Sequence, residues 1–522
     1  MKHTYKPELL LPAGSLEKLK TAILYGADAV YCGTPSMSLR AKSKFTLEQV
    51  LEGIEFAHSH NKKVYLTLNL LSHNKDIPKL PEFVETIRTA KPDGVIVADP
   101  AVFKFVKENA PELDLHVSTQ ASVCSWLGVN FWKDMGAKMC VLGRETSFAE
   151  LKEIREKCTE IKLETFIHGS MCMSYSGRCL LSNFLAERGA NQGNCAHCCR
   201  WNYQVKLKLK DGTHKELEIN EHNQDLFEFL LEEEFRPGEY IELEETERGV
   251  YLMNSKDLCL MPRLNDFLEI GIDSLKIEGR NKTQYYTGMV AKTYRKAIDD
   301  WIKDPQNWSH EKYMQDLYSI SNRGFTMAFH DGRLTNLSHN YESTKSTSEY
   351  EFAGYVDSWG KDHINVIAKN KLQKGDILEF IPPQSENIKL RIYEFIDSKT
   401  NESKEEINAG QQPIIKIPLE WFTQELKSQT KETLMSKLPP LTLIRKTKDI
   451  ETIHQARINL DKNALKIEKG NGDLEKLKKD KKEFVKLKNS EEANVIKKKP
   501  NKDFCCGKGC NGCLIDKSKN KK

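Results

Sequence analysis

The 522-residue sequence has no run approaching 18 consecutive apolar residues, the length a helix needs to cross a bilayer. Its first residues, MKHTYKPELLLPAGS, lack the longer apolar core of a secretory leader. Both absences point to a cytoplasmic protein with no membrane partner. They also change how the 14 cysteines are read, because a reducing compartment disfavours a disulfide framework and favours thiols as metal ligands. Strong charge of one sign is missing too. The net charge is +4, too small over this length to announce a nucleic-acid binder, so any basic surface must be local. No G-x-G-x-x-G follows the first apolar run, only the turn Pro12–Gly14, which argues against a dinucleotide-binding sheet. H-E-x-x-H, G-x-S-x-G and a local Cys–His–Asn pattern are absent as well. The commonest marks of a hydrolase are therefore missing, although a triad assembled from distant residues leaves no such mark.

What is present is a repeat. Eight short apolar runs occur at Leu9–Leu11, Ala29–Tyr31, Val64–Leu68, Gly94–Val97, Leu113–Val117, Met139–Leu142, Leu163–Phe166 and Ser274–Ile277. Helical patterns such as Leu16–Tyr25, Leu47–His58, Phe83–Ala90 and Ala101–Asn109 separate them. Parallel strands with helical crossovers, in the number that closes a barrel, predict an α/β fold of the (β/α)8 type. This domain is expected over residues 1–340, broken by a cysteine-rich insertion at 169–262. The insertion includes an expected hairpin, Gln204–Leu209 with Glu216–Ile219, about the Asp211-Gly212 turn. Residues 345–450 alternate as strands (Phe352–Val356, Ile364–Ala368, Ile377–Phe380) and predict a small β-barrel domain. A Lys-rich linker at 451–502 and a Cys-rich motif, CCGKGCNGC, within 503–522 complete the expected organisation.

The insertion gathers Cys172, Cys179, Cys195, Cys198, Cys199 and Cys259. Thiolates are soft ligands that suit iron–sulfur clusters or zinc, and spacing leaves both open, Cys195-x-x-Cys198 being a zinc-like pair. Cys172 follows the seventh run at its C-terminal end, the face where barrel enzymes build active sites. Cys32, Cys124, Cys140 and Cys158 are scattered through strand and helix patterns and read as core. Cys505, Cys506, Cys510 and Cys513 form a possible second metal site. Arg40, Arg144, Arg178 and Arg280 lie just after predicted strands or in the insertion, a set suited to an anionic ligand. Trp201, beside Arg200 and near Tyr203, is placed to stack on an unpaired base. His116 and Gln120 are candidates to line a pocket. A triad from His116, Ser118 and Thr119 is disfavoured, because successive strand residues face opposite ways.

The stretch ETFIHGSMCMSYSGRCLLS, through Glu164, Phe166, Gly169, Ser170, Met171, Cys172, Gly177, Cys179 and Ser182, resembles the signature of the collagenase-like peptidase family of class U, number 32. The resemblance extends through ELLLPAGS, HVSTQAS (His116–Ser122), NSKDLC, KIEGR (Lys276–Arg280) and NRGFT (Asn322–Thr326). It implies either a peptidase, the historical reading, or an oxygen-independent RNA hydroxylase carrying a 4Fe-4S cluster. Within the family the chain is most similar to the branch that makes 5-hydroxyuridine at the tRNA wobble position with prephenate as co-substrate. A 23S rRNA cytidine hydroxylase and a non-catalytic RNA-binding protein are the further alternatives. The resemblance implies cluster ligands at Cys172, Cys179, Cys195 and Cys259, with Cys199 as the alternate. Arg40, Arg144, Arg178, Arg280 and Trp201 would bind tRNA and the small-molecule co-substrate. His116, Gln120 and Glu164 are the candidate catalytic residues.

Overall fold

The computed structural model describes residues 5–33, 45–172, 174–190, 195–201, four short strands between 229 and 250, 254–332, 348–425 and 430–447, with Ser338 and Ser346 besides. Arg40, the hairpin expected at 204–219, the Lys-rich linker and the four C-terminal cysteines lie outside the described residues.

Each apolar run becomes a strand: β1 Glu8–Ala13, β2 Ala29–Gly33, β3 Lys63–Leu68, β4 Gly94–Val97, β5 Leu115–Val117, β6 Met139–Val141, β7 Lys162–Ser170 and β8 Ser274–Ile277. Every neighbouring pair is parallel, and β8 pairs with both β7 and β1, so the sheet closes. The helices α1 Leu16–Leu24, α2 Leu47–Ser59, α3 Leu80–Ala90, α4 Pro100–Asn109, α5 Trp126–Asp134 and α6 Phe148–Lys157 run between the first seven strands. Most begin at a residue chosen to satisfy their first amides. Ser15, Asp99 and Ser125 accept from backbone N–H groups, while Thr46 and Ser147 close capping boxes with Gln49 and Glu150.

Strand alternation sorts the side chains into two layers. Leu9, Leu11, Val30, Val64, Leu66, Val95 and Val97 join the core under the helices, whereas Leu10, Ala29, Tyr31, Tyr65 and Ile96 form a separate cluster inside the barrel. The regular repeat is interrupted after β7. There the helix α7 Leu181–Ala186 and a short strand, Asp257–Cys259, precede α8 Leu264–Glu269 and β8. The short strand runs antiparallel to the end of β7, with Asp257 opposite Ser170 and Cys259 opposite His168. After β8 comes the long helix α9 Gln284–Lys303, which packs against α1.

Residues 350–447 fold into an eight-stranded antiparallel half-barrel with Tyr350–Trp359, His363–Ala368 and Leu443–Thr447 at its middle. It is joined to the barrel by buried polar contacts. The Tyr25 hydroxyl donates to the Ile381 carbonyl at 2.5 Å and accepts from the Leu443 N–H at 2.8 Å. Arg445 pairs with Glu379 at 2.8 Å and reaches the Tyr285 hydroxyl on α9 at 3.3 Å.

Candidate active site at the barrel mouth

The barrel axis is polar. β7 reads KLETFIHGS, and its alternation turns Glu164 and Phe166 inward. Glu164, 1 % exposed, accepts from Lys276 Nζ at 2.6 Å and from the Ser274 hydroxyl at 2.9 Å. The same Ser274 oxygen lies 3.2 Å from Glu8, whose other carboxylate oxygen accepts from the Tyr65 hydroxyl at 2.7 Å. Burial and the neighbouring Glu164 hold the Glu8 carboxyl above the usual carboxylate range, opposed by the Tyr65 hydrogen bond. His116 stands edge-on to Tyr65, ring centroids 4.6 Å apart, with its buried Nδ1 unpartnered. Burial and the nearby Lys276, Lys162 and Lys63 lower its pKa to about 3, so it is a neutral ring at physiological pH.

A register shift between Lys276 and Ile277 in the β7–β8 pairing re-aims the end of β7. His168 consequently points to the α9 side, between Tyr286 and Tyr294, and not into the barrel. Burial holds its pKa at about 3 as well.

Above this layer, at the C-terminal ends of the strands, cations and rings interleave. Arg144 donates to the Ser170 carbonyl at 2.8 Å, lies 3.5 Å from Glu278, and stacks 4.1 Å over Phe166. Its Nε is buried without a partner. Arg280 donates to Thr67 at 3.2 Å and lies 5.7 Å from the Tyr31 ring. Lys276 sits 4.5 Å over Tyr31 and 5.5 Å from Phe166. Three cations, two rings and the carboxylates Glu164 and Glu278 therefore surround one mouth, an arrangement suited to a planar anion.

Of the four expected arginines, the structure brings Arg144 and Arg280 together here. Arg178 is exposed on the cysteine loop. Sequence reasoning missed Lys276, Glu278 and Tyr31. A signal for two of them existed, since K-I-E-G-R places Lys276, Glu278 and Arg280 at strand spacing on one face.

The loop carrying Cys172 and Cys179 is fastened to this mouth. The Ser122 hydroxyl donates to the Ser176 carbonyl at 2.5 Å, and Glu145 accepts from the Ser176 N–H and hydroxyl at 2.7 and 3.1 Å. Gly177, at φ +75°, lies so close to Gln120 that a Cβ would stand 2.5 Å from the Gln120 carbonyl oxygen. The Oε1 of Gln120 is buried there without a partner. A second cysteine segment is tied to the first. Ser182 accepts from the Ala196 N–H at 2.8 Å, Arg188 donates to the Cys195 carbonyl at 3.1 Å, and Arg200 donates to the Met171 carbonyl at 3.2 Å.

Cys199 interacts electrostatically with Cys172, Cys179 and Cys195, and Cys198 with Cys179 and Cys195. Cys198 is buried, Cys179, Cys195 and Cys199 are half-buried, and Cys172 is exposed. The Cys195 sulfur accepts the His197 N–H at 3.3 Å, and desolvation of the Cys172 sulfur, though the residue as a whole is exposed, raises its pKa against the opposing pull of Arg144 and Arg200. Among the described residues no three His, Cys, Asp or Glu side chains stand at metal-binding separation, so the thiols are gathered without being closed around a centre. Cys259 is placed apart. It is 2 % exposed, with its sulfur 3.8 Å from the Tyr294 hydroxyl, and burial pushes its thiol up to about 11. Trp201 is 43 % exposed beside the second segment.

The model of Peptidase family U32 matches residues 14–340, and that of the Peptidase family U32 C-terminal domain matches 348–429. The chain is 37 % identical over 423 residues to tRNA hydroxylation protein P1 of Bacillus subtilis, covering 80 % of this chain and 93 % of that one. It is 38 % identical over 397 residues to tRNA hydroxylation protein P of Escherichia coli, covering 73 % and 87 %. A 23S rRNA 5-hydroxycytidine synthase of Escherichia coli is 27 % identical over 385 residues, covering 72 % of this chain and 53 % of that protein.

Proposed function

The chain belongs to Peptidase family U32, and from that membership and the mouth's chemistry we propose an RNA-modifying hydroxylase that makes 5-hydroxyuridine at the wobble position of tRNA. In this reading the reaction needs no oxygen and uses prephenate as co-substrate. The observation that carries it is the meeting, at one end of the barrel, of Arg144, Arg280 and Lys276 around Tyr31 and Phe166, with the gathered thiols on the loop above. The naming of the two bacterial relatives as tRNA hydroxylation proteins supports the substrate class.

Each residue has a part that follows from its surroundings. Arg144 and Arg280 bind and orient the carboxylates of the co-substrate, and the unpartnered Nε of Arg144 is a donor held ready for one of them. Tyr31 and Phe166 offer ring faces to the organic part. Lys276 Nζ donates a hydrogen bond to Glu164 at the floor of the mouth. The target uridine enters from the rim as an unstacked base, with exposed Trp201 available to stack on a neighbour.

Cys172, Cys179, Cys195 and Cys199 would hold the 4Fe-4S cluster in this reading. Their softness, the amide donated to Cys195 and the guanidinium groups nearby suit a thiolate-bound centre. Cys259 would have to leave its packing against Tyr294 to join them, which favours Cys199 as fourth ligand. When bound, such a cluster supplies an iron site for electron transfer or Lewis-acid polarisation.

Among the described residues, nothing at the mouth favours peptide hydrolysis. His116 is neutral and faces Tyr65, and the Ser118 hydroxyl accepts the Gln120 N–H. Mass spectrometry of tRNA nucleosides from a deletion strain tests the proposal. Loss of 5-hydroxyuridine-derived nucleosides is the expected result. Unchanged tRNA with a hydroxylated ribosomal nucleoside missing would move the assignment to rRNA, and no change in either would overturn it.

A further inference from the structure

The short helix α7, LSNFLA, is amphipathic with its faces reversed. Its buried residue is Ser182, whose hydroxyl donates to the Arg188 carbonyl at 2.7 Å and accepts from the Ala196 N–H at 2.8 Å. Leu180 at its edge, Phe184 and Leu185 face outward instead, and Phe184 is 83 % exposed. Leu180 and Phe184 stand one turn apart on the same side, the Phe184 N–H donating to the Leu180 carbonyl at 2.9 Å. Burying the serine and exposing the apolar residues forgoes the usual gain of burial, which marks a surface that meets a partner.

The reversal is part of a larger concentration. Of the fourteen large apolar side chains exposed among the described residues, Tyr175, Leu180, Phe184, Leu185 and Trp201 lie in the two cysteine segments, 174–190 and 195–201. These segments form one platform. α7 packs against Cys198–Arg200, which Trp201 follows directly. The turn from Tyr175 to Arg178 is fastened beside the mouth through Ser176, held by Ser122 and Glu145. The platform is also basic. Its charged residues are Arg178, Arg188, Arg200 and a single acid, Glu187, whereas the whole chain nearly balances 79 basic against 75 acidic residues. Arg178 is exposed, between Tyr175 and Leu180.

Rings and guanidinium groups with one carboxylate among them suit a strand that has apolar base faces and a phosphate on every unit. A base paired in a duplex has its faces covered, so the fit is to an unpaired strand. We propose that this platform is the docking surface for the single-stranded RNA flanking the target base. Tyr175, Phe184 and Trp201 stack on bases, and Arg178 meets a phosphate. The proposal rests on the reading that RNA is the substrate, and adds where and by what contacts it is held. Because Ser176 is tied down at the mouth, a strand lying on Tyr175 and Arg178 leads its next base toward the barrel.

The probe is an unmodified tRNA with uridine at the wobble position. Its control is the same RNA with the anticodon loop paired to a complementary oligonucleotide. Binding to the full chain is followed by fluorescence anisotropy over a range of salt concentrations. Phe184→Ala and Tyr175→Ala are each expected to weaken binding of the free tRNA about tenfold, the loss of one stacked base. Neither should change binding of the loop-paired control. Arg178→Gln should weaken binding and lower the salt slope by about one phosphate contact. All three side chains are exposed, so thermal unfolding should match wild type. Phe184→p-benzoylphenylalanine identifies the occupant by photo-crosslinking, and crosslinks to the tRNA are expected. Crosslinks to a second copy of the chain, or within one chain, overturn the proposal. Folded Phe184→Ala and Tyr175→Ala variants that bind the tRNA like wild type also overturn it and leave the RNA reading standing. Wild-type protein that fails to bind the free tRNA removes both.

Discussion

Along the barrel axis lie Glu164, Lys276, Ser274 and His116, all buried, with Tyr65 and half-buried Glu8 completing their contacts. At the centre of the C-terminal half-barrel lie Val356, Ile364, Leu378, Phe380, Phe395 and Ile415, a hydrophobic cluster. The half-barrel's buried ion pair, Glu379 with Arg445, is set toward Tyr285 on α9. Burying charge is costly unless every member is paired, so an ionic axis in a barrel that could be filled with aliphatic side chains is retained for something other than stability. The half-barrel follows the opposite plan, with polarity reserved for the seam. Under the proposed function, the contrast puts chemistry in one and support in the other.

The largest test of this contrast is Glu164→Leu, which leaves Lys276 buried beside no carboxylate. A loss of about 3–5 kcal/mol is expected in urea denaturation. The double variant Glu164→Leu with Lys276→Met should recover most of that loss while RNA hydroxylation stays absent. A double variant no more stable than the single one would break the idea that the axis is kept for function. Leu378→Ala in the half-barrel should cost about 2–5 kcal/mol and leave the activity of the folded fraction unchanged. Reduced turnover in that folded fraction would mean that the half-barrel shares the site.

Tyr25→Phe probes the seam. It strips partners from the Ile381 carbonyl and the Leu443 N–H, and about 1–3 kcal/mol should be lost, with faster proteolysis between the two regions. The smallest effect is a slope. His116 and His168 titrate near 3 in the folded barrel, while unfolded histidine titrates at about 6.5. Below about pH 6.5 the unfolded chain takes up protons that the folded chain refuses, so stability present above that pH is lost as pH falls toward 3. Each histidine contributes roughly 1.4 kcal/mol per pH unit, and His116→Asn should flatten the denaturation-midpoint profile by one such slope.

The barrel was legible because its strands are buried on both faces and read as continuous apolar runs. Gly94–Val97 and Ser274–Ile277 have the same bounds in sequence and structure, and the other strands differ at their ends. The apolar run that marks β7 in sequence stops at Phe166, because the strand's last residues, His168–Ser170, pair with a distant segment, Asp257–Cys259. Arg144 and Arg280 could be placed at the mouth because both follow strands directly. Lys276 was hidden inside an apolar run, where a lysine looks like a surface residue until its carboxylate partner, Glu164, is known. The separation of Cys259 from the other thiols has the same origin. A one-residue register shift decides which side of β7 a neighbour occupies, and composition does not carry it.

Gly177 bears on how this architecture can be altered. The loop touches Gln120 at Gly177 and is held at Ser176 by Ser122 and Glu145, so its elevation does not depend on the side chains it exposes. Tyr175, Arg178 and Leu180 on either side are exposed and open to exchange. Natural drift or deliberate redesign can therefore repaint what the rim presents to a visitor while the sulfurs keep their height. Position 177 acts as a shim, and a methyl added there would push the loop away from Gln120.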